Sequence, residues 1–184
     1  MPVIDLSTQL QEDAINSVPP FGAESIRIAR QLGPDATDLL LKHIEAQEST
    51  ALLALEAWRE ADPDRYAAFS SQAKAKIYVK ALKNNLFYNT WGVPGYQLTG
   101  TAYALIGLGD VAISALKPLL DDNRPALLSG SQDATTSRMY GNRVCDYAWV
   151  FINEIKKRPY KFHRNATERD SEIEGLRKEL ESKN

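Results

Sequence analysis

The feature that most restricts this chain is a helical hydrophobic period that recurs with short breaks. It is clearest over Leu98–Ile155, which reads LTGTAYALIGLGDVAISALKPLLDD, then a loop, then YGNRVCDYAWVFINEI. Two helical patterns face each other across Leu108-Gly109-Asp110. A third follows, in which Val144, Tyr147, Ala148, Phe151, Ile152 and Ile155 form a stripe wide enough to be buried. Period-two alternation is scarce, so the expected class is all-α.

The same logic orders the rest of the chain. Residues 5–17 carry a loose apolar stripe that Pro19-Pro20 ends. Ala23–Leu32 places Ile26, Ala29 and Leu32 at helical spacing, with Gly33 as its stop and Pro34 where a new helix can begin. Helices are expected over 36–47 and 51–61, the latter capped by Ser49 and ended by Asp62-Pro63. Residues 63–84 are helical by propensity with a break near Ser70-Ser71. Residues 84–97 (NNLFYNTWGVPGYQ) read as an irregular packed loop, because Asn, Gly and Pro punctuate a run of large aromatics. Pro118 should bend or shorten the helix begun at Val111, and 121–139 reads as a long loop. After Lys156 the composition changes to a basic segment and then a charged helix. The expected organisation is one domain over 1–157 and a charged C-terminal extension over 158–184.

Composition excludes several classes. The chain has 184 residues, 43% hydrophobic and 25% charged, with a net charge of −2. That suits one ordinary globular core and supplies no global field for nucleic acid or membrane. The single cysteine, Cys145, permits no internal disulfide. The N-terminal stretch lacks a basic segment followed by an apolar run, and no window is apolar enough to span a bilayer. A cytoplasmic protein without membrane contact is therefore expected.

The turns at Leu32-Gly33-Pro34-Asp35-Ala36 and Leu108-Gly109-Asp110-Val111-Ala112 resemble each other, and each precedes a helix with paired leucines. Their separation is about twice the length of a two-helix repeat. AYALIGLGDVAISALKPLLDD followed by RVCDYAWVFINEI resembles the HEAT-repeat pattern of bacterial HEAT-like proteins. There a first helix ends in Leu-Gly, a second ends in Leu-Leu followed by Asp, and the next opens with Arg-Val. Arg143-Val144 and Ala148 take those places here. The resemblance implies a HEAT-like α-α superhelix of about three helix pairs, followed by the charged helical tail. It speaks to architecture and assigns no activity.

Candidate functional residues fall into three groups. Arg143 and Asp146, at i and i+3, share a helix face and form either half of a polar site or a structural pair. Tyr88, Trp91 and Tyr96 stand on irregular backbone, either as a binding surface or as a plug where the stack is interrupted. Lys76, Lys80 and Lys83 share one helix face within a stretch, Arg65 to Gly109, that contains no acid. Such a face serves an acidic protein partner or a phosphate backbone. Cys145 reads as buried and structural. The two histidines, His43 and His163, lack metal-ligand spacing, and the loop Gly130–Ser137 lacks the Gly-Lys-Ser ending of a phosphate loop. No catalytic residue, metal or cofactor is assigned. The preferred function is a non-catalytic protein-binding module of adaptor or inhibitor type, monomeric or weakly dimeric. The alternative is a nucleic-acid-binding or DNA-glycosylase-like protein, with Trp91, Tyr96, Arg143 and Asp146 at its site.

Overall fold

The computed structural model describes residues 5–46, 49–84, 89–126, 135 and 138–182. These residues are predominantly helical. The helices are α1 (Leu6–Ile15), α2 (Glu24–Leu32), α3 (Thr37–Ala46), α4 (Ala51–Ala61), α5 (Pro63–Ala68), α6 (Ser71–Asn84), α7 (Gly100–Ile106), α8 (Asp110–Leu116), α9 (Val144–Ile155) and α10 (Ala166–Ser182). Between α6 and α7 lies a two-stranded antiparallel hairpin, β1 (Gly92–Val93) and β2 (Gln97–Leu98), with Gly92 opposite Leu98 and Val93 opposite Gln97.

Two helices are apolar almost all round, and both are buried as such a pattern demands. In α4, Leu52, Leu53, Ala54, Leu55 and Ala57 are all inside, and α2 and α3 pack on it. In α9 every residue from Val144 to Asn153 is buried, and α7 and α8 pack on it. Leu105, Leu116 and Phe151 are fully enclosed.

The helix ends show why the chain turns where it does. Gly33, after α2, has φ 59° and ψ −142°; Gly109, before α8, has φ 65° and ψ −140°. Both occupy a backbone region that a Cβ disfavours, so glycine is the residue that lets each turn close. Asp62 caps α5 by accepting the Arg65 N–H, and its other oxygen takes the Thr37 hydroxyl at 3.0 Å. The N-terminus of α2 has no cap from its own flank. Asp13 of α1 supplies one, accepting the Ser25 N–H at 2.8 Å. Ser49 does not cap α4: the flanking residue is Thr50, whose hydroxyl meets His43 Nδ1 at 3.1 Å instead. Pro118 ends α8 at Leu116, and the chain continues as a 3₁₀ turn over Lys117–Asp121. The last core helix starts at Val144, after Gly141 (φ 57°) has turned the chain. The C-terminal helix α10 is not free-standing. Arg169, Ile173 and Leu176 bury one side of it, and it packs on α9.

One acid interrupts the apolar surface of α4. Glu56 accepts hydrogen bonds from Tyr78 Oη at 2.5 Å, Thr101 Oγ1 at 3.0 Å and Arg59 Nη2 at 2.7 Å. Tyr66 Oη meets Tyr78 Oη at 3.0 Å. One carboxylate thus ties α4 to α6 and α7. Burial, reinforced by the Glu56 charge, pushes the Tyr78 phenol well above its ordinary value. Below the usual phenol pKa of about 10 both folded and unfolded chains keep the proton; above it only the folded chain does, so stability falls as pH rises. Tyr78→Phe should cost about 1–3 kcal/mol at pH 8 by leaving Glu56 short of a donor. The deficit should shrink near pH 10.5, because the variant no longer loses the Tyr78 share. Urea denaturation of both proteins at the two pH values checks this; an unchanged gap refutes it.

Candidate functional site

The aromatic segment after α6 divides in two. Trp91 faces inward and is 5% exposed, packed against Tyr78 and Phe151 at ring distances of 6.4 and 5.9 Å. Tyr96, at the hairpin tip, is 85% exposed. Tyr88 lies outside the described residues. The hairpin is held from below, since Tyr147 Oη donates to the Gly92 carbonyl at 2.7 Å. Gly95, at φ 75°, sits so close to Phe162 that a Cβ there would lie 2.2 Å from the Phe162 Cβ. Phe162 in turn packs on Tyr140 and Trp149. Tyr96 therefore projects from a braced base beside a cleft of about 90 Å³ that Val93, Tyr140 and Phe162 help to line.

Arg143 and Asp146 come together at the start of α9, with a third member that sequence reading did not find. Asp146 is fully buried. Its Oδ2 accepts the Arg143 backbone N–H at 2.9 Å, closing the first turn, and its Oδ1 accepts Arg143 Nη2 and Arg169 Nε, each at 3.0 Å. Arg169, from α10, is also fully enclosed. It uses all five of its N–H donors: one on Asp146, two on the carbonyls of His163 and Arg164, two on those of Tyr140 and Gly141. Arg143 reaches further, to Asp170 at 2.7 Å and to Asn123 at 3.1 Å. Its hydrogen bond with Asp146 raises the guanidinium pKa, so its charge is permanent. The signal available for Arg169 was its place one turn before Ile173 and two before Leu176, on the stripe that α10 buries.

Cys145 lies beside this cluster. Burial, with the Asp146 carboxylate adding to it, pushes the thiol up to about 12, so at neutral pH it is protonated and a poor nucleophile. His43 is held between Ser7 and Thr50, and His163 faces Glu168 at 2.6 Å. Among the described residues no group of three or more His, Cys, Asp or Glu is placed to hold a metal ion.

The lysines of α6 separate by depth. Lys74 is buried, its Nζ over the Tyr66 ring and 2.9 Å from the Tyr66 carbonyl, and desolvation lowers its pKa. Lys76, Lys80 and Lys83 are exposed. Lys76 and Lys80 flank a groove of about 370 Å³ between α6 and the α3–α4 pair. Neither Trp91 nor Arg143 lines it. A second concavity, of about 520 Å³, has Phe21 at its edge and Arg27, Arg30 and Arg59 in its wall. Those arginines pair with Glu24, Glu60 and Glu56 respectively, so that wall is balanced in charge.

Comparison with family models, with curated proteins and with solved structures returned no match. No single helix among the described residues is long and apolar enough to cross a membrane.

Removing the Asp146 charge leaves the enclosed Arg169 guanidinium with carbonyl partners and no acid, and leaves Arg143 to Asp170. Asp146→Asn should lower unfolding stability by about 3–5 kcal/mol, the cost typical of breaking a buried ion pair. Urea denaturation measures it; a loss below about 1 kcal/mol would mean the cluster is solvated like a surface pair.

Proposed function

We propose that this chain is a non-catalytic protein-binding module built on a HEAT-like stack of helix pairs. Support for the stack comes from its two glycine turns. Gly33 and Gly109 share one backbone conformation, and the helices flanking each pack on a largely buried helix, α4 or α9. Repeated helix pairs that bury one another's faces leave their outer surfaces free for a partner.

The observation that carries the binding reading is Tyr96. A large ring held out into solvent by a braced hairpin loses little freedom on contact, which is the property of an interface anchor. Asp146 and Glu56 spend their charge on internal partners, and the Cys145 thiol is protonated. The nucleic-acid alternative is less favoured. It needs Trp91, Arg143 and the α6 lysines in one groove, whereas Trp91 packs in the core and Arg143 sits in the α9–α10 cluster.

Capture from native cell extract on immobilised full-length protein tests this reading. A specific partner should be retained by the wild type and reduced about tenfold or more by Tyr96→Ala, with the circular dichroism spectrum unchanged. A partner retained equally by both proteins removes Tyr96 as the anchor. Oligonucleotides retained in a salt-dependent manner, with no protein, would favour the alternative.

A further inference from the structure

The groove beside α6 is a second surface, and its chemistry differs from that of the hairpin tip. Its floor is apolar: Ile44 from α3, Leu52 from α4, Phe69 before α6, and Ala73, Ile77 and Ala81 along α6. The three α6 residues recur at i, i+4 and i+8, so they form one ridge inclined to the helix axis. Two small alanines flank a branched isoleucine, which leaves a dent on either side of it. The row is about 12 Å long at 1.5 Å per residue, the length over which an incoming helix presents anchors at i, i+4 and i+7.

Charge decides what kind of helix. Lys76 and Lys80 line the same groove one helical row away, and Lys83 continues the row beyond it. The chain carries no acid between Arg65 and Gly109. Glu45, on the opposite wall, is the single acid among the described residues of the lining. An apolar trough with a cationic edge complements a segment that is apolar on one face and acidic on the flank beside it. A phosphate backbone would set charge along the lysines but leave the aliphatic floor unfilled.

We infer that the groove between α6 and the α3–α4 pair receives an acidic amphipathic helix of a protein partner. This rests on the protein-binding reading above but uses a different surface, so the two can fail separately.

The probe is a displayed library of helix-patterned peptides of about 14 residues, apolar at i, i+3, i+4 and i+7 and random elsewhere, selected on the full chain. Selected sequences should be enriched in Asp and Glu. Binding of one such peptide, read by fluorescence anisotropy, should weaken about tenfold or more with Ala73→Trp, which fills the trough. It should weaken comparably with Lys76→Glu plus Lys80→Glu, and several-fold between about 50 and 300 mM salt. All these positions are at least partly exposed, and circular dichroism checks that each variant is folded. Selected peptides of neutral or basic character overturn the inference, as do peptides indifferent to Ala73→Trp. Recovery of no peptide overturns it as well. Tighter binding of oleate or of a 14-nucleotide DNA than of any peptide would assign the groove to an anionic amphiphile or to nucleic acid. A dimer that Ala73→Trp dissolves would assign it to a second copy. Peptides lost with Tyr96→Ala but kept with Ala73→Trp would sink this inference and leave the hairpin reading standing.

Discussion

A carboxylate with no access to water must be answered by donors inside the protein, and Asp146 sets that demand in the first turn of α9. Two arginines meet it from different directions. Arg143 does so from the cap position before α9 and Arg169 from α10. Because Arg169 then carries four loop carbonyls on its remaining donors, one side chain positions the segment before α9, the segment after it and the final helix. The aromatic stack of Tyr140, Trp149 and Phe162 lies over the same junction, and the guanidinium of Arg169 sits 5.2 Å from the Phe162 ring centre. The brace under the hairpin tip is therefore continuous with the ion cluster.

The other half of the molecule solves a similar problem with different donors. Glu56 lies inside α4 as Asp146 lies inside α9, yet its partners are two hydroxyls and one guanidinium. Hydroxyl donors gather α6 and α7 without placing a second full charge in the interior, which limits the desolvation cost. The arginine that does take part, Arg59, remains partly in water at the wall of the larger concavity. In each half an apolar helix is given one polar obligation, and meeting it fixes which neighbours pack where.

Local structure was legible in the residues to the extent that its causes are local. The span of α4, the break between α5 and α6, and the stop at Gly33 follow from hydrophobic period, proline and glycine. The shortening of α8 at Pro118 has the same kind of cause. What lay hidden depends on contacts distant in sequence. Trp91 and Tyr96 are aromatic residues on the same punctuated segment, and nothing in that pattern says which one the core will take; the choice is made by Tyr78 and Phe151 on other helices. The partner of Asp146 in α10 was out of reach for the same reason. A charged helix with three apolar residues reads as exposed until an acid 23 positions earlier is seen to need its arginine. The groove beside α6 was half legible: the row of lysines stood out, while its apolar floor draws on three helices.

The placement of Arg169 bears on how the chain is made. Synthesis runs from the N-terminus, so Asp146 emerges before the side chain that completes its pairing. Until α10 follows, α9 holds a carboxylate with half of its guanidinium partners, and the loop carbonyls around it have lost four donors. Closing this junction thus waits for α10, the bolt that brings the second guanidinium and the four loop carbonyls together.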